Sequence, residues 1–129
     1  MNLEKAMVVL KDKGWLDNRE LAVKVQVKQV RKINPNNPDR PLTYPFQAEA
    51  YLTISGDKVY MIQHGMLGKP QKVLLEGTIG DMVAFEVDKG PMGLSKSVQV
   101  ANHEARYQML VMKKYGDMLE KMQTVAMKP

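Results

Sequence analysis

Hydrophobic residues alternate with polar ones over much of the middle of this chain. Between residues 20 and 33, the valines Val23, Val25 and Val27 are separated by polar residues. This period of two predicts a strand with one buried face. The apolar parity shifts by one position at Val30, and a shift of this kind predicts a β-bulge or a sharp bend.

Further segments with a period of two follow. Residues 46–55 alternate so that the even-numbered apolar side chains face the core, which places Tyr51 on the solvent side. The turn residues 55–58 and the segment 59–63 predict a hairpin. Shorter strands are predicted over residues 72–75, 82–87 and 94–101. Because no long crossover helix separates these segments, an antiparallel sheet is expected.

Helical periodicity is confined to the two ends of the chain. Residues 2–14 predict a short helix that Asn2 caps and Gly14 ends. Residues 102–127 predict a longer helix, because apolar residues, many of them methionines, recur there at spacings of three and four. An apolar stripe of this kind can pack against the sheet of the same chain, against a second copy of the chain or against another protein. The residues expected to form this interface are Met109, Met112, Leu119 and Met122.

Residues 34–45 contain four prolines and show no periodicity. They predict an extended surface loop rather than a strand or a helix. The loop is either a stiff element that presents Arg40 and Tyr44 to a partner, or an insertion that spans a gap.

The composition is that of an ordinary soluble protein. The 129 residues are 44% hydrophobic and 26% charged, which predicts a single domain over residues 1–129. No apolar run approaches the roughly 20 residues of a membrane span, so no membrane partner is expected. The chain contains no cysteine, and its beginning lacks the pattern of a signal peptide. A cytoplasmic protein without disulfides is therefore expected.

Residues 76–101 resemble the last hairpin of a cold-shock domain. The pattern consists of Glu76-Gly77, then VAFEV at 83–87, then DKGPMG at 88–93 and a final strand. Cold-shock domains are small nucleic-acid-binding barrels of the OB type. The two aromatic RNA-binding motifs of that family have no counterpart before residue 76, so no binding residue is transferred from it.

The strand pattern and this resemblance together give the expected fold class, mainly β (α+β). We expect a five- or six-stranded antiparallel OB-like barrel over residues 20–101. The short N-terminal helix and the longer C-terminal helix would flank this barrel.

Most of the positive charge lies in one segment. The net charge is +5, and residues 21–45 carry five cations against one anion. A basic strand and loop are typical of a surface that follows a phosphate backbone, although lysines on an exposed strand can also serve solubility alone. The residues expected to bind nucleic acid, by phosphate contact or by base stacking, are Lys24, Lys28, Arg31, Lys32, Arg40, Tyr44, Tyr51 and Tyr60, with His64 as a further stacking candidate.

The sequence contains no pattern that predicts catalysis. The two histidines, His64 and His103, lack the spacing of a zinc motif, and no nucleophile elbow, phosphate loop or dinucleotide fingerprint occurs. We therefore expect no enzyme, no catalytic residue, no metal site and no cofactor.

These observations favour a protein that binds single-stranded DNA or RNA with little sequence specificity. The alternative is a protein-interaction or homo-oligomerising accessory module, of the kind found in phages and mobile elements, which acts through the methionine-rich C-terminal helix. A small-molecule enzyme built on a barrel ranks last.

Overall fold

The computed structural model describes residues 2–127, apart from the side chain of Tyr44. Within these residues, two α-helices and seven β-strands follow one another along the chain. They are α1 (Leu3–Asp12), β1 (Ala22–Lys32), β2 (Leu42–Ser55), β3 (Lys58–His64), β4 (Pro70–Thr78), β5 (Ala84–Lys89), β6 (Ser95–Ala101), β7 (Ala105–Met112) and α2 (Gly116–Ala126).

All seven strands belong to one antiparallel sheet in the order β4-β3-β2-β1-β7-β6-β5. This is the order of an up-and-down meander whose last strand returns to pair with its first. Within the described residues, no hydrogen-bonded ladder joins β4 to β5, so the sheet is open between them. The predicted mainly β, antiparallel fold with a helix at each end is confirmed. The expected strand number of five or six is wrong, and closure into a barrel is not found.

The sheet is strongly curled. The hydroxyl of Tyr107 on β7 donates a hydrogen bond of 3.1 Å to the carbonyl oxygen of Leu74 on β4. Four strand spacings of about 4.8 Å would separate these strands in a flat sheet, which is beyond the reach of a tyrosine side chain. Leu74 is the additional residue where the register between β3 and β4 shifts. The curl therefore brings the inner faces of two distant strands together.

The bulge predicted in the first strand is confirmed. The register of β1 shifts between Val27 and Gln29 in its pairings with both β2 and β7. Against β7, Lys28 is the additional residue, whereas against β2 the two residues Phe46 and Gln47 face it. Val30 thereby returns to the same buried face as Val27.

Helix α2 packs on the inner face of the sheet, which we define as the face that carries Val23 and Val27. Leu119 and Met122 are fully buried there. The side-chain amide of Gln123 also donates a 2.8 Å hydrogen bond to the carbonyl oxygen of Phe85 on the edge strand β5. The C-terminal helix thus covers the core of its own sheet.

The predicted helix over residues 102–127 is wrong in its first half, because residues 105–112 form β7. Burial alternates along this strand, with Met109 and Val111 inside and Met112 exposed. Met109 and Met112 are three residues apart, and this spacing would place them on one face of a helix. The spacing therefore favoured the helix that the sequence predicts here. Of the four predicted interface residues, Met109, Leu119 and Met122 are buried within the chain itself, whereas Met112 is exposed on β7.

Helix α1 covers part of the opposite, outer face. Its predicted caps are confirmed: the Asn2 side chain accepts a hydrogen bond from the Lys5 amide, and Gly14 has the left-handed φ of +79° that favours glycine. Ala6 and Leu10 of α1 pack against Tyr51. Tyr51 is completely buried, so its predicted exposure is wrong; the strand is covered on both faces at this point.

The predicted loop over residues 34–45 is too long. Strand β2 already begins at Leu42, and Pro45 lies opposite Gln29 of β1 at the bulge. A proline is tolerated where the ladder is irregular, since it has no amide hydrogen to donate.

Asp17 ties the segment after α1 to the turn between β2 and β3. Its carboxylate accepts hydrogen bonds from the Arg19 guanidinium at 2.7 Å and from the Gly56 amide at 2.8 Å. The hydrogen bond with the Arg19 side chain is the largest cause that lowers the pKa of Asp17 from 3.8 to about 2. The carboxylate form is therefore favoured in the folded state.

The first prediction concerns the burial of α2. Leu119→Ala should lower the free energy of unfolding by about 2–5 kcal/mol, because it leaves a cavity in the core. Met112→Ala removes an exposed side chain and should change it by less than about 0.5 kcal/mol. Urea unfolding measures both values, and equal effects of the two variants would contradict this placement of the helix.

The second prediction concerns pH. Because folding lowers the pKa of Asp17, its ionised form contributes stability above the unfolded value of 3.8, and this contribution is lost as the pH falls towards about 2. The difference in thermal midpoint between wild type and Asp17→Asn should therefore shrink over this range. A difference that stays constant with pH would show that the ionised carboxylate adds nothing.

Candidate nucleic-acid interface and apolar loops

A cavity of about 340 Å³ opens at one end of the curled sheet, and we call it the cup. It lies where β1 and β3 end and where β2, β4 and β7 begin. The residues that line the cup are Val30, Lys32, Phe46, Gln47, Gln63, Lys72, Val73, Leu74 and Tyr107. Its volume is near the lower end of the range of about 300–1,000 Å³ found for small-ligand sites.

The lining of the cup is apolar and aromatic in its depth and cationic at its rim. Tyr107 is buried and Phe46 half-buried, and both pack against the inner core. Lys32 and Lys72 are exposed. Flat rings beside free ammonium groups can bind a planar group that carries negative charge.

A second depression, the rim groove, adjoins the cup at Lys32, which lines both. Arg31 and Arg106 also line it and lie opposite each other on β1 and β7. Like charges in this position repel. Arg106 is partly compensated, because it donates a 2.8 Å hydrogen bond to Gln99 and lies 3.6 Å from the Glu86 carboxylate.

Arg31 has no such compensation. Its guanidinium is exposed and makes no hydrogen bond or ion pair within the part of the chain that the structure describes. The cup and the rim groove together therefore form a path with free cations at Lys72, Lys32 and Arg31. A chain of phosphate groups would satisfy these charges.

The structure brings together only part of the predicted nucleic-acid site. Arg31 and Lys32 lie on the path, and Arg40 is exposed in the loop before β2. Lys28 occupies the bulge and is half-buried, whereas Lys24 lies towards the other end of β1 in a separate groove.

The predicted stacking residues are not placed for stacking. Tyr51 and Tyr60 are buried under α1, so both assignments are wrong. The side chain of Tyr44 lies outside the described residues. His64 is largely buried, and its Nε2 lies 3.0 Å from a carboxylate oxygen of Glu49.

Sequence reasoning missed Phe46, Lys72 and Tyr107. The alternation of apolar and polar residues assigns Phe46 to the core. The predicted helix over residues 102–127 does not place Tyr107 in the sheet. A signal was present for Tyr107, since Tyr107, Met109 and Val111 alternate with polar or exposed positions as strand residues do.

Lys24 lines an outer groove of about 340 Å³ on the other face of the sheet, together with Gln26, His64, Leu94 and Met112. We call two loops the tip loops: residues 65–69, which follow the groove residue His64 and connect β3 to β4, and residues 90–94, which include the groove residue Leu94 and connect β5 to β6.

The two tip loops share one backbone design. Each contains a short 3-10 turn, from Met66 to Gly68 and from Pro91 to Gly93. In each turn a bulky residue has a positive φ, 62° for Leu67 and 58° for Met92. This left-handed conformation costs roughly 1–2 kcal/mol for a residue with a side chain, so the remaining contacts of each loop must hold it.

One of these contacts comes from the buried Tyr51. Its hydroxyl donates a 2.6 Å hydrogen bond to the carbonyl oxygen of Gly68 in the first tip loop. Burial is the main cause that raises the pKa of Tyr51, which keeps the hydroxyl proton available as a donor. The tyrosine therefore fastens the loop to the sheet.

Comparison of the chain with protein-family models, with curated proteins and with solved structures gives no match. Among residues 2–127, no cluster of three or more acidic, histidine or cysteine side chains could hold a metal ion. No helix within the same residues is long and apolar enough to cross a membrane. The surfaces described above are therefore the basis for a functional proposal.

The third prediction tests the anchoring of the first tip loop. Tyr51→Phe keeps the buried ring but removes the donor to Gly68, and it should lower the free energy of unfolding by about 0.5–1.5 kcal/mol. It should also speed amide hydrogen exchange in residues 65–69 more than in residues 90–94, which mass spectrometry can measure. Equal protection of the first loop in both proteins would show that other contacts hold it.

Proposed function

We propose that the protein binds single-stranded nucleic acid through the cup and the rim groove. The observation that carries this proposal is that Lys32 lines both the cup and the rim groove. A partly aromatic cavity therefore adjoins a groove that is lined by Arg31, Lys32 and Arg106 together with Glu104. Single-strand-binding proteins combine these two elements, a stacking surface and a cationic track.

One base would occupy the cup. The half-buried Phe46 supplies the accessible aromatic surface, while the buried Tyr107 lines the depth of the cup. The side-chain amides of Gln47 and Gln63 each offer donors and an acceptor to the base edge. Because an amide can turn to suit different donor and acceptor patterns, this arrangement fits binding with little sequence specificity.

The phosphates next to this base would contact Lys32 and Lys72, and the strand would continue towards Arg31 in the rim groove. These contacts depend on charge and not on the base. They should therefore dominate affinity at low salt and weaken as salt rises.

An OB-type relationship is part of the same proposal. OB-type barrels bind nucleic acids on a curled antiparallel sheet, and this chain has such a sheet with a β5–β6 hairpin in the segment that resembles the cold-shock hairpin. The open edge between β4 and β5 is a difference from a closed barrel.

The fourth prediction tests the cationic contacts. Fluorescence anisotropy with a labelled single-stranded oligonucleotide should give an affinity that falls with salt, with a log–log slope of about −0.7 per phosphate contact. The double variant Lys32→Gln/Lys72→Gln should flatten this slope by roughly 1.4. A matched control, Lys24→Gln/Lys58→Gln, removes the same charge away from the cup and should leave the slope nearly unchanged.

The aromatic contact is tested with Phe46→Leu, which keeps an apolar side chain in the core but removes the flat ring. If a base stacks on Phe46, affinity should fall by about 1–3 kcal/mol at every salt concentration. Absence of binding by the wild type at low salt would refute the proposal. A protein-interaction module would then be the leading function.

A further inference from the structure

The rim groove contains apolar surface as well as cations. Ile33 and Val83 both line it, and their side chains are 54% and 45% exposed. Backbone hydrogen bonds hold both positions. The Ile33 amide donates to the carbonyl oxygen of Glu104 at 3.1 Å, and the Val83 amide donates to that of Ala101 at 2.9 Å. The groove therefore has a fixed apolar floor that is open to solvent.

The alternation of side chains along β1 relates this floor to the cup. Val30 is buried on the inner face, and Lys32, two residues later, lines the cup. Arg31 and Ile33 alternate with these residues, so their side chains lie on the other face of the strand. The hydrogen bond from Ile33 to Glu104 continues the ladder between β1 and β7 to this point. A nucleic-acid strand that leaves the cup past Lys32 therefore reaches Arg31 and Ile33 next.

One carboxylate lies among the cations of the rim groove. Glu104 lines the groove, its side chain is exposed, and it forms no ion pair within the described residues. A carboxylate repels a phosphate, but it accepts a hydrogen bond from an exocyclic amino group such as N4 of cytosine. Thymine has a carbonyl oxygen in place of this amino group. Glu104 therefore distinguishes between bases, whereas the cations do not.

We propose that the rim groove holds a second base, which packs on Ile33 and Val83 and donates its exocyclic amino group to Glu104. This inference rests on the proposed function. It adds a footprint of two adjacent bases and a preference for cytosine or adenine at the second one. The occupant is the neighbouring nucleotide because Lys32 lines both depressions and the uncompensated Arg31 beside it can bind the adjoining phosphate.

The fifth prediction compares intact oligo-dC with oligo-dC of the same length in which every second nucleotide is abasic. The abasic form can fill the cup but offers no base beside it. Ile33→Ser/Val83→Ser should weaken binding of the intact form about fivefold or more, because less apolar surface is buried. Binding of the abasic form should not change. Fluorescence anisotropy measures both affinities.

A matched control is Val8→Ser/Met112→Ser, which removes two exposed apolar side chains away from the rim groove. This variant should bind both oligonucleotides as the wild type does. The side chains that the test and the control replace are all exposed, so both variants should keep the fold.

The choice of base is tested in the same assay with Glu104→Gln. The wild type should bind oligo-dC about tenfold more tightly than oligo-dT, because only cytosine donates to the carboxylate. A glutamine amide can accept from cytosine or donate to thymine, so the variant should bind the two with nearly equal affinity. The control Glu120→Gln removes the same charge from an exposed position on α2 and should keep the preference of the wild type.

The outcomes separate this inference from the proposed function. Equal affinity of the wild type for intact and abasic oligo-dC would overturn the second base site and leave binding in the cup intact. An unchanged preference in Glu104→Gln would also overturn it, as would an equal loss of both oligonucleotides in Ile33→Ser/Val83→Ser. Absence of binding to any of these oligonucleotides would refute the proposed function and this inference with it.

Discussion

The fold depends on covering the inner face of a sheet whose two edge strands do not pair. An uncovered face lined by Val23, Val27 and Met109 would expose the apolar core to water. The curl of the sheet and helix α2 cover it instead, and two hydrogen bonds fix this arrangement across the interior: Tyr107 to Leu74 and Gln123 to Phe85. In a closed barrel, backbone hydrogen bonds between the edge strands enclose the core. Here side-chain hydrogen bonds and helix α2 enclose it instead.

The two candidate surfaces follow from this architecture. At the end of the sheet that α2 leaves uncovered, strand termini converge around the cup. Core residues line the bottom of this cavity, and polar residues line its rim. On the outer face, α1 covers only the part near Tyr51, and the outer groove lies on another part of that face.

The sequence predicts an element well where only one face of it is buried. The valine alternation of β1 and its bulge were predicted for this reason, whereas Tyr51 was misplaced because α1 covers its strand on the second face. Met109 and Met112 fit a helix and a strand equally, and tertiary pairing with β1 decides for the strand. The cup could not be predicted, since its residues come from five strands and meet only through the curl.

The pairing of the last strand with the first has a consequence for the order of folding. Strand β1 lies at the centre of the sheet, and one of its two neighbours is β7, in which Val111 pairs with Val25. During synthesis, β1 and β2 can pair early, but the other edge of β1 stays unpaired until residues 105–112 have left the ribosome. Contacts this distant in sequence slow folding. Until β7 pairs with it, the free edge of β1 can pair with another chain.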